Sequence, residues 1–320
     1  MKAIRINQFG PPEVMQLENI DKPVPAAGQL LIKVEAIGVN PVETYVRSGQ
    51  YPILPNLPFT PGNDLAGTID ACGPDCGDWK VGDRVFSSRN ISGSYAEYTL
   101  CNLQQVFALP ERASYKEGAA VGVPGAAAWR GLFIRGNAKA NETVLIHGGS
   151  GSVGLNAIQL AKAAGLKVIA TAGTPEGLVL MKNLGVDDVF NHRDKDYIDA
   201  IKSSQNGKGV ALILEMLANL NLQSDLDLLA PRGRVVIIGS RGKIEIDPRA
   251  TMGKETDIRG LSLFNSSPEE TKQTFSALRD AMGKGVLKPV IGHKMQLSEA
   301  AKAHDMVMKD GNCGKIILIP

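Results

Sequence analysis

Four glycines and two serines occupy the eight residues from His147 to Gly154 (HGGSGSVG), between an apolar run, Thr143-Val-Leu-Ile, and Leu155-Asn-Ala-Ile-Gln-Leu-Ala-Lys-Ala-Ala. The run before the loop reads as a buried strand and the one after it as a helix. Glycines lose much backbone freedom on folding, so such a loop implies a tight turn or a close approach to the main chain. Gly149-Ser-Gly151-Ser-Val-Gly154 is a G-x-G-x-x-G run. Between a strand and a helix that pattern predicts a dinucleotide site. Gly149 permits the turn, Gly151 removes a Cβ from the path of a pyrophosphate, and Gly154 lets the helix pack close to the sheet. The helix N-terminus adds free N–H groups and a partial positive charge.

The alternation continues. Lys167–Ala172 reads as strand two, and Thr174 with Pro175 supplies an N-cap and first-turn proline for a helix that Gly185 ends. Asp188–His192 is strand three and Tyr197–Ser203 a helix. VALILEML is strand four, Leu222–Leu229 a short helix, GRVVIIGS strand five and IRGLSLF strand six. This α/β pattern predicts a doubly wound parallel sheet of strand order 3-2-1-4-5-6 with right-handed crossovers.

The pattern changes character near residue 124. In LLIKVEAIGV, Ile32, Val34 and Ala36 share one face, with Lys33 and Glu35 opposite. LAGTIDA, DRVFSS and SYAEYTL are equally short, with turn signals such as Gly82-Asp83 between them, which predicts an irregular β-barrel or sandwich. After the α/β stretch come helices over Glu269–Met282 and around Ser298–Met308, then a strand, GKIILIP, free to rejoin the first domain. A chain of 320 residues is expected to form two domains.

NAD-preferring sites place Asp or Glu at the tip of strand two. Here the tip reads Ala170-Thr-Ala-Gly173-Thr174, with Glu176 inside the following turn. His192 and Arg193, just after strand three, put positive charge beside it, the alternative being a solvated loop pair. The missing acidic reader favours NADPH over NADH.

A formal charge of +2, from 35 basic and 33 acidic residues, gives no electrostatic case for a nucleic-acid or membrane partner. The start, MKAIRINQFG, lacks a signal peptide's apolar stretch, and no run approaches the ~20 apolar residues of a membrane span, so a cytoplasmic location is expected. Of Cys72, Cys76, Cys101 and Cys313 only the first two lie close, and His147, His192, His293 and His304 form no ligand-spaced pair. Reduced thiols and no metal are expected.

WKVGDRVF (Trp79–Phe86), with the strand–glycine-loop unit, resembles the medium-chain dehydrogenase/reductase superfamily. GVNPVETYVRSGQY, GSYAEY, VFNHR, EMLAN, GSRG and IEIDPR, in order along nearly the whole chain, resemble the zeta-crystallin type of quinone oxidoreductase. The resemblance implies a GroES-like β-rich catalytic domain from residues 1–124 and 264–320 and a Rossmann domain from 125–263. It implies NADPH, reduction of quinones with one-electron transfer to ortho-quinones within its range, and a homo-oligomer (dimer or tetramer) built through the Rossmann domains. Zinc-dependent relatives carry a catalytic Cys near the start of VNPVETY and Gly-His-Glu after Pro-Gly; this chain has Asn40 or Pro41, and Gly62-Asn63-Asp64. The family's four-cysteine lobe is also absent, so a zinc-free enzyme is implied.

Residue by residue, the resemblance implies a catalytic segment of Asn40, Tyr45 and Tyr51, with Tyr45 also touching the cofactor. It implies Ser150, Gly151, Ser152, Val153 and Gly154 at the pyrophosphate, and Gly173, His192 and Arg193 at the adenosine ribose-phosphate. Asn221 follows strand four, Ile238, Gly239, Ser240 and Arg241 follow strand five, and Leu261, Ser262 and Leu263 end strand six. All sit at carboxyl ends of expected strands, where open α/β sheets bind ligands. The plainer alternatives are half-buried aromatics for the tyrosines and loop capping for Asn221 and Ser240.

Without zinc a plain ketone lacks its electrophile, whereas a quinone spreads the delivered charge over a conjugated oxygen that hydrogen-bond donors can stabilise. A tyrosine hydroxyl can serve, although its usual pKa near ~10 would need tuning to act as an acid. The same site suits α,β-unsaturated aldehydes or ketones, and a crystallin-like or RNA-binding role is the non-enzymatic rival. The stretch VPGAAAWRGL departs from relatives that carry bulky aromatics there; its small residues, Gly125–Ala128, are expected to leave room for bulkier acceptors.

Overall fold

The computed structural model describes residues 1–320. It divides into two compact units, Met1–Val123 with Phe275–Pro320, and Pro124–Thr274. The first boundary lies one residue from the expected 124, but the second lies beyond the expected 263. The cause is local. Glu270 pairs at 2.7 Å with buried Arg130, whose Nη1 donates to Ser262 O at 2.8 Å. Residues just after strand six are thereby tied to the second unit.

The first unit begins with β1 (Lys2–Ile6) and β2 (Met15–Asn19), an antiparallel ribbon. Next come β3 (Gln29–Gly38), α1 (Pro41–Arg47), β4 (Asp64–Cys72), β5 (Arg84–Ser87), β6 (Tyr98–Asn102) and β7 (Phe107–Ala108), followed by α2 (Tyr115–Trp129), whose residues from Pro124 onward belong to the second unit. β3 is the hub, pairing antiparallel with both β4 and β6. Its alternation is as expected: Ile32, Val34 and Ala36 are buried and Lys33 is exposed.

The second unit holds β8 (Thr143–Ile146), α3 (Ser152–Ala163), β9 (Lys167–Ala172), α4 (Pro175–Asn183), β10 (Asp188–Asn191), α5 (Tyr197–Ser204), β11 (Val210–Glu215), α6 (Ala218–Leu228), β12 (Leu229–Ile237), α7 (Arg249–Met252) and β13 (Asp257–Gly260). All pairings are parallel, in the order β10-β9-β8-β11-β12-β13, which is the expected 3-2-1-4-5-6. The sixth strand is shorter than expected: it ends at Gly260, and Leu263–Asn265 forms a 3-10 turn. Leu145, Ile169, Ile213 and Val235 from four adjacent strands form the core with Leu222 and Leu226 of α6.

Helix α8 (Pro268–Gly283) leads back to the first unit, which β14 (Ile291–Gln296), α9 (Ala300–Met308) and β15 (Lys315–Ile319) complete. β15 pairs antiparallel with β3 at Ile317↔Gly38, so the terminal strand does rejoin the first domain. No helix is long and apolar enough to cross a membrane.

Candidate nucleotide and catalytic sites

In the second unit, β8 ends at Ile146 and the chain turns through the glycine loop into α3. Gly149 N donates to Thr171 O of β9 at 2.7 Å. A Cβ on Gly149 would lie 2.4 Å from Met181 Sδ, and one on Gly154 would lie 2.6 Å from Gly148 O and from Gly149 Cα. The fold itself needs these two glycines. A Cβ on Gly151 would meet only Gly148 O, at 3.3 Å. Packing within the chain does not demand a glycine there. The demand is for open backbone ahead of the first turn of α3, whose leading N–H groups point out of the helix. That arrangement fits a pyrophosphate.

Gly173 follows β9. A Cβ there would come 2.5 Å from His192 Nε2 and 3.0 Å from Arg193 Nε. The structure therefore sets both basic side chains, which are exposed, against the tip of strand two. Thr174 caps α4 by accepting from Gly177 N at 3.2 Å, and Glu176 is carried into that helix.

The other expected contacts lie on the same edge, at the carboxyl ends of β11, β12 and β13. Asn221 sits within α6, and its Nδ2 donates to both Glu215 oxygens at 3.2 Å, leaving its Oδ1 for a ligand. Ile238 N and Gly239 N both donate to Glu215 O, at 2.8 and 3.2 Å. Ser240 Oγ donates to Gly242 O at 3.0 Å, and Arg241 N to Asn219 Oδ1 at 2.8 Å. Leu261 N reaches Ile237 O at 3.0 Å, while Leu263 opens the 3-10 turn. Gly125–Ala128 are buried within α2.

Sequence reasoning missed a cluster beneath this edge. His147, Glu215 and Asp225 are buried, with nitrogen and carboxyl oxygen atoms within 4.8 Å of one another. Histidine spacing gave no sign of it, because strand order joins His147 to a carboxylate 78 residues away. Thr171 Oγ1 accepts from Gly148 N at 3.3 Å, so its hydrogen is free for His147 Nδ1, also at 3.3 Å. His147 Nε2–H then donates to Asp225 Oδ1 at 3.0 Å. Burial lowers the imidazole pKa and keeps it neutral. The carboxyl oxygens of Glu215 and Asp225 lie within 4.8 Å of each other, and burial pushes both carboxyls up.

In the first unit, Pro41 opens α1 and Glu43 Oε2 accepts from Asn40 N at 3.0 Å. Tyr45 is half-buried, with no hydrogen bond from its hydroxyl to the chain. Tyr51 is also half-buried, and burial pushes its phenol up, away from the tuning an acid would need. Asn40 is only 2% exposed, and its amide is fully committed: Oδ1 accepts from Lys315 Nζ, and Nδ2 donates to Glu43 Oε1 at 3.2 Å and Asp64 Oδ2 at 2.9 Å. With its amide atoms engaged within the chain, Asn40 has the geometry of a residue that positions its neighbours.

Glu43 also accepts from Asn63 N at 3.0 Å, Asn63 Nδ2 at 3.2 Å and Tyr95 OH at 2.8 Å. The last lies 3.1 Å from His304 Nε2. Asn40, Asn63 and Asp64, from the segments compared above with zinc-dependent relatives, do not fit a cation. Lys315 Nζ, itself positive, lies 3.1 Å from Asp64 Oδ2 and takes Asn40 Oδ1 as well. No step through zinc follows from these residues.

The chain matches two family descriptions: "Alcohol dehydrogenase GroES-like domain" over residues 26–111 and "Zinc-binding dehydrogenase" over residues 152–280. It is 51% identical to a human quinone oxidoreductase over 321 aligned positions, covering 100% of this chain and 98% of that protein. Among solved structures, an Escherichia coli quinone oxidoreductase complexed with NADPH aligns with a TM-score of 0.90 at 28% identity, covering 100% of both chains. Mycobacterial Rv1454c complexed with NADPH aligns at 0.91 with 31% identity, again over 100% of both.

Proposed function

The chain belongs to the zeta-crystallin type of quinone oxidoreductases within the medium-chain dehydrogenase/reductase superfamily, and from that premise we propose that it is an NADPH-dependent, zinc-independent reductase of quinones, ortho-quinones included. The observation that carries the cofactor reading is the pair His192 and Arg193 set against Gly173, with no carboxylate at that tip. A 2′-phosphate meets positive charge there, and no repulsion.

The bound cofactor supplies the reducing equivalents. Ser150 to Gly154 hold its pyrophosphate. Gly173, His192 and Arg193 hold its ribose-phosphate. Asn221 through Oδ1, with Ile238–Arg241 and Leu261–Leu263, positions the remainder. Tyr45 and Tyr51 offer hydroxyl donors to cofactor and quinone oxygen, and Tyr51, with its raised pKa, donates a hydrogen bond instead of surrendering a proton. Asn40 fixes the start of α1, which carries Tyr45. The protein assembles as a homo-oligomer, to be checked by sedimentation.

The test is oxidation of NADPH and of NADH, followed by nicotinamide absorbance, with an ortho-quinone and an enone, before and after a chelator. NADPH-selective quinone turnover insensitive to the chelator supports the reading. Turnover with the enone alone moves the enzyme to the double-bond reductases.

A further inference from the structure

Glu215 ends β11 and ties together two loops of the ligand-binding edge. Its carboxyl accepts from Leu217 N and Asn221 Nδ2, and its backbone oxygen accepts from Ile238 N and Gly239 N. A Cβ on Gly239 would lie 2.4 Å from Met216 O, so the loops after β11 and β12 are in close contact. Whatever moves Glu215 moves both.

Glu215 is 0% exposed, as is Asp225 beside it. Two buried carboxylates this close cannot both ionise cheaply. Asp225 already accepts from His147 Nε2–H at 3.0 Å, so it is the better anion. Its second oxygen, Oδ2, is buried with no hydrogen-bond donor in the chain, so a proton held by Glu215 would give it one. Glu215 is the natural holder of the proton, sharing it with Asp225.

We propose that Glu215 is a positioning residue whose shared proton with Asp225 holds the loops after β11 and β12 in their ligand-binding arrangement, so that losing the proton weakens dinucleotide binding. This rests on the reading of that edge as the cofactor site. Deprotonation acts in two ways. It sets two buried negative charges against each other at the carboxyl that holds Leu217 N and Asn221 Nδ2, pushing that carboxyl away, and it adds a buried negative charge beneath an anionic ligand. The charged and titratable groups around the pair are His147 from the loop after β8 and Tyr197 from α5, whose phenol is pushed up by burial and, less, by the two carboxyls. From β9 only the Thr171 hydroxyl faces it, through His147. His147 stays neutral, and Tyr197 stays protonated.

The design makes Glu215→Gln informative. Glutamine keeps an acceptor oxygen for Leu217 N and Asn221 and offers Asp225 an N–H, so it mimics protonated glutamate at every pH. The experiment is fluorescence titration with NADH between about pH 5.5 and 8.5. NADH lacks the 2′-phosphate, which removes that group's own titration against His192 and Arg193. Wild-type affinity is expected to fall roughly tenfold across the range, about 1.4 kcal/mol. Glu215→Gln should hold the low-pH wild-type affinity throughout. A wild-type curve without slope, or a variant that keeps the wild-type slope, overturns the proposal. Should the variant not fold, infrared spectroscopy of the wild type decides. A protonated-carboxyl stretch near pH 6 that shifts in deuterium oxide and disappears by about pH 8.5 is expected; its absence rejects the shared proton. Failure of both dinucleotides to bind at any pH would instead overturn the cofactor reading itself.

Discussion

Lys315 and Asp64 form an ion pair of 3.1 Å in which the side chains are 2% and 0% exposed. β15 delivers the ammonium and β4 the carboxylate. Burial pushes the Asp64 pKa up, and Lys315, Asn40 and Val123 N oppose that rise. Removing Lys315 leaves a buried charge with too few partners. Lys315→Met is expected to destabilise the first unit by about 3–5 kcal/mol. Adding Asp64→Asn should recover part of the loss, because the pair is coupled. Chemical denaturation of the two single variants and the double variant measures the coupling; strict additivity would refute it.

The glycine loop separates folding from binding. Gly149→Ala should cost about 1–3 kcal/mol of stability, since its methyl meets Met181 Sδ at 2.4 Å and Ala170 Cβ at 2.9 Å. Gly151→Ala, at φ −76° with only one contact at 3.3 Å, should fold normally. It should nonetheless bind NADPH about tenfold or more weakly. Thermal melts paired with cofactor titration test the contrast. Equal affinity in Gly151→Ala and wild type would detach the loop from the pyrophosphate.

The proposed preference for NADPH rests on charge at the strand-two tip. Arg193→Glu is expected to weaken NADPH roughly tenfold while leaving NADH within about twofold. The comparison is the ratio of kcat/KM for the two cofactors. A parallel loss with both would point to a structural role for Arg193.

Tyr51 is held above the ordinary phenol pKa by burial. It is protonated throughout the neutral range, so no limb of the pH–rate profile up to about pH 9 should vanish in Tyr51→Phe. The variant should lower kcat/KM by about tenfold at all pH values if its hydrogen bond reaches the acceptor. A pH-dependent loss would mean proton transfer in place of hydrogen bonding.

The carboxyl pair also predicts a stability slope. Burial raises Glu215 from 4.5 to about 7, so the folded state binds more protons than the unfolded chain between those values. Its contribution to stability is fully present below the unfolded pKa and is lost as pH rises through the folded one. Thermal melting of the second unit should therefore show a destabilising trend across that window, smaller in Glu215→Gln. An identical trend in both proteins would place the titration elsewhere.

The glycine loop, the strand order and the basic pair beside Gly173 were legible because their signals are local: period, turn residues and a strand–loop–helix context. Asn40 was legible as a position but not as a role. It caps α1 ahead of Tyr45, and burial turns each polar atom of its amide inward, which no local pattern foretells. The second unit runs to Thr274, and the Arg130–Glu270 pair within it joins positions 140 residues apart, which no local signal reveals.

By itself, then, the sequence determined a parallel doubly wound sheet, a β-rich partner unit and a nucleotide loop, since short-range hydrophobic period and glycine placement decide those. Only the tertiary structure decided the polar cores. His147 meets Asp225 across 78 positions, Lys315 meets Asp64 across 251 and Asn40 across 275. No local pattern encodes such partners. Strand order brings them together, and burial then requires each polar group to find a counterpart where water cannot supply one.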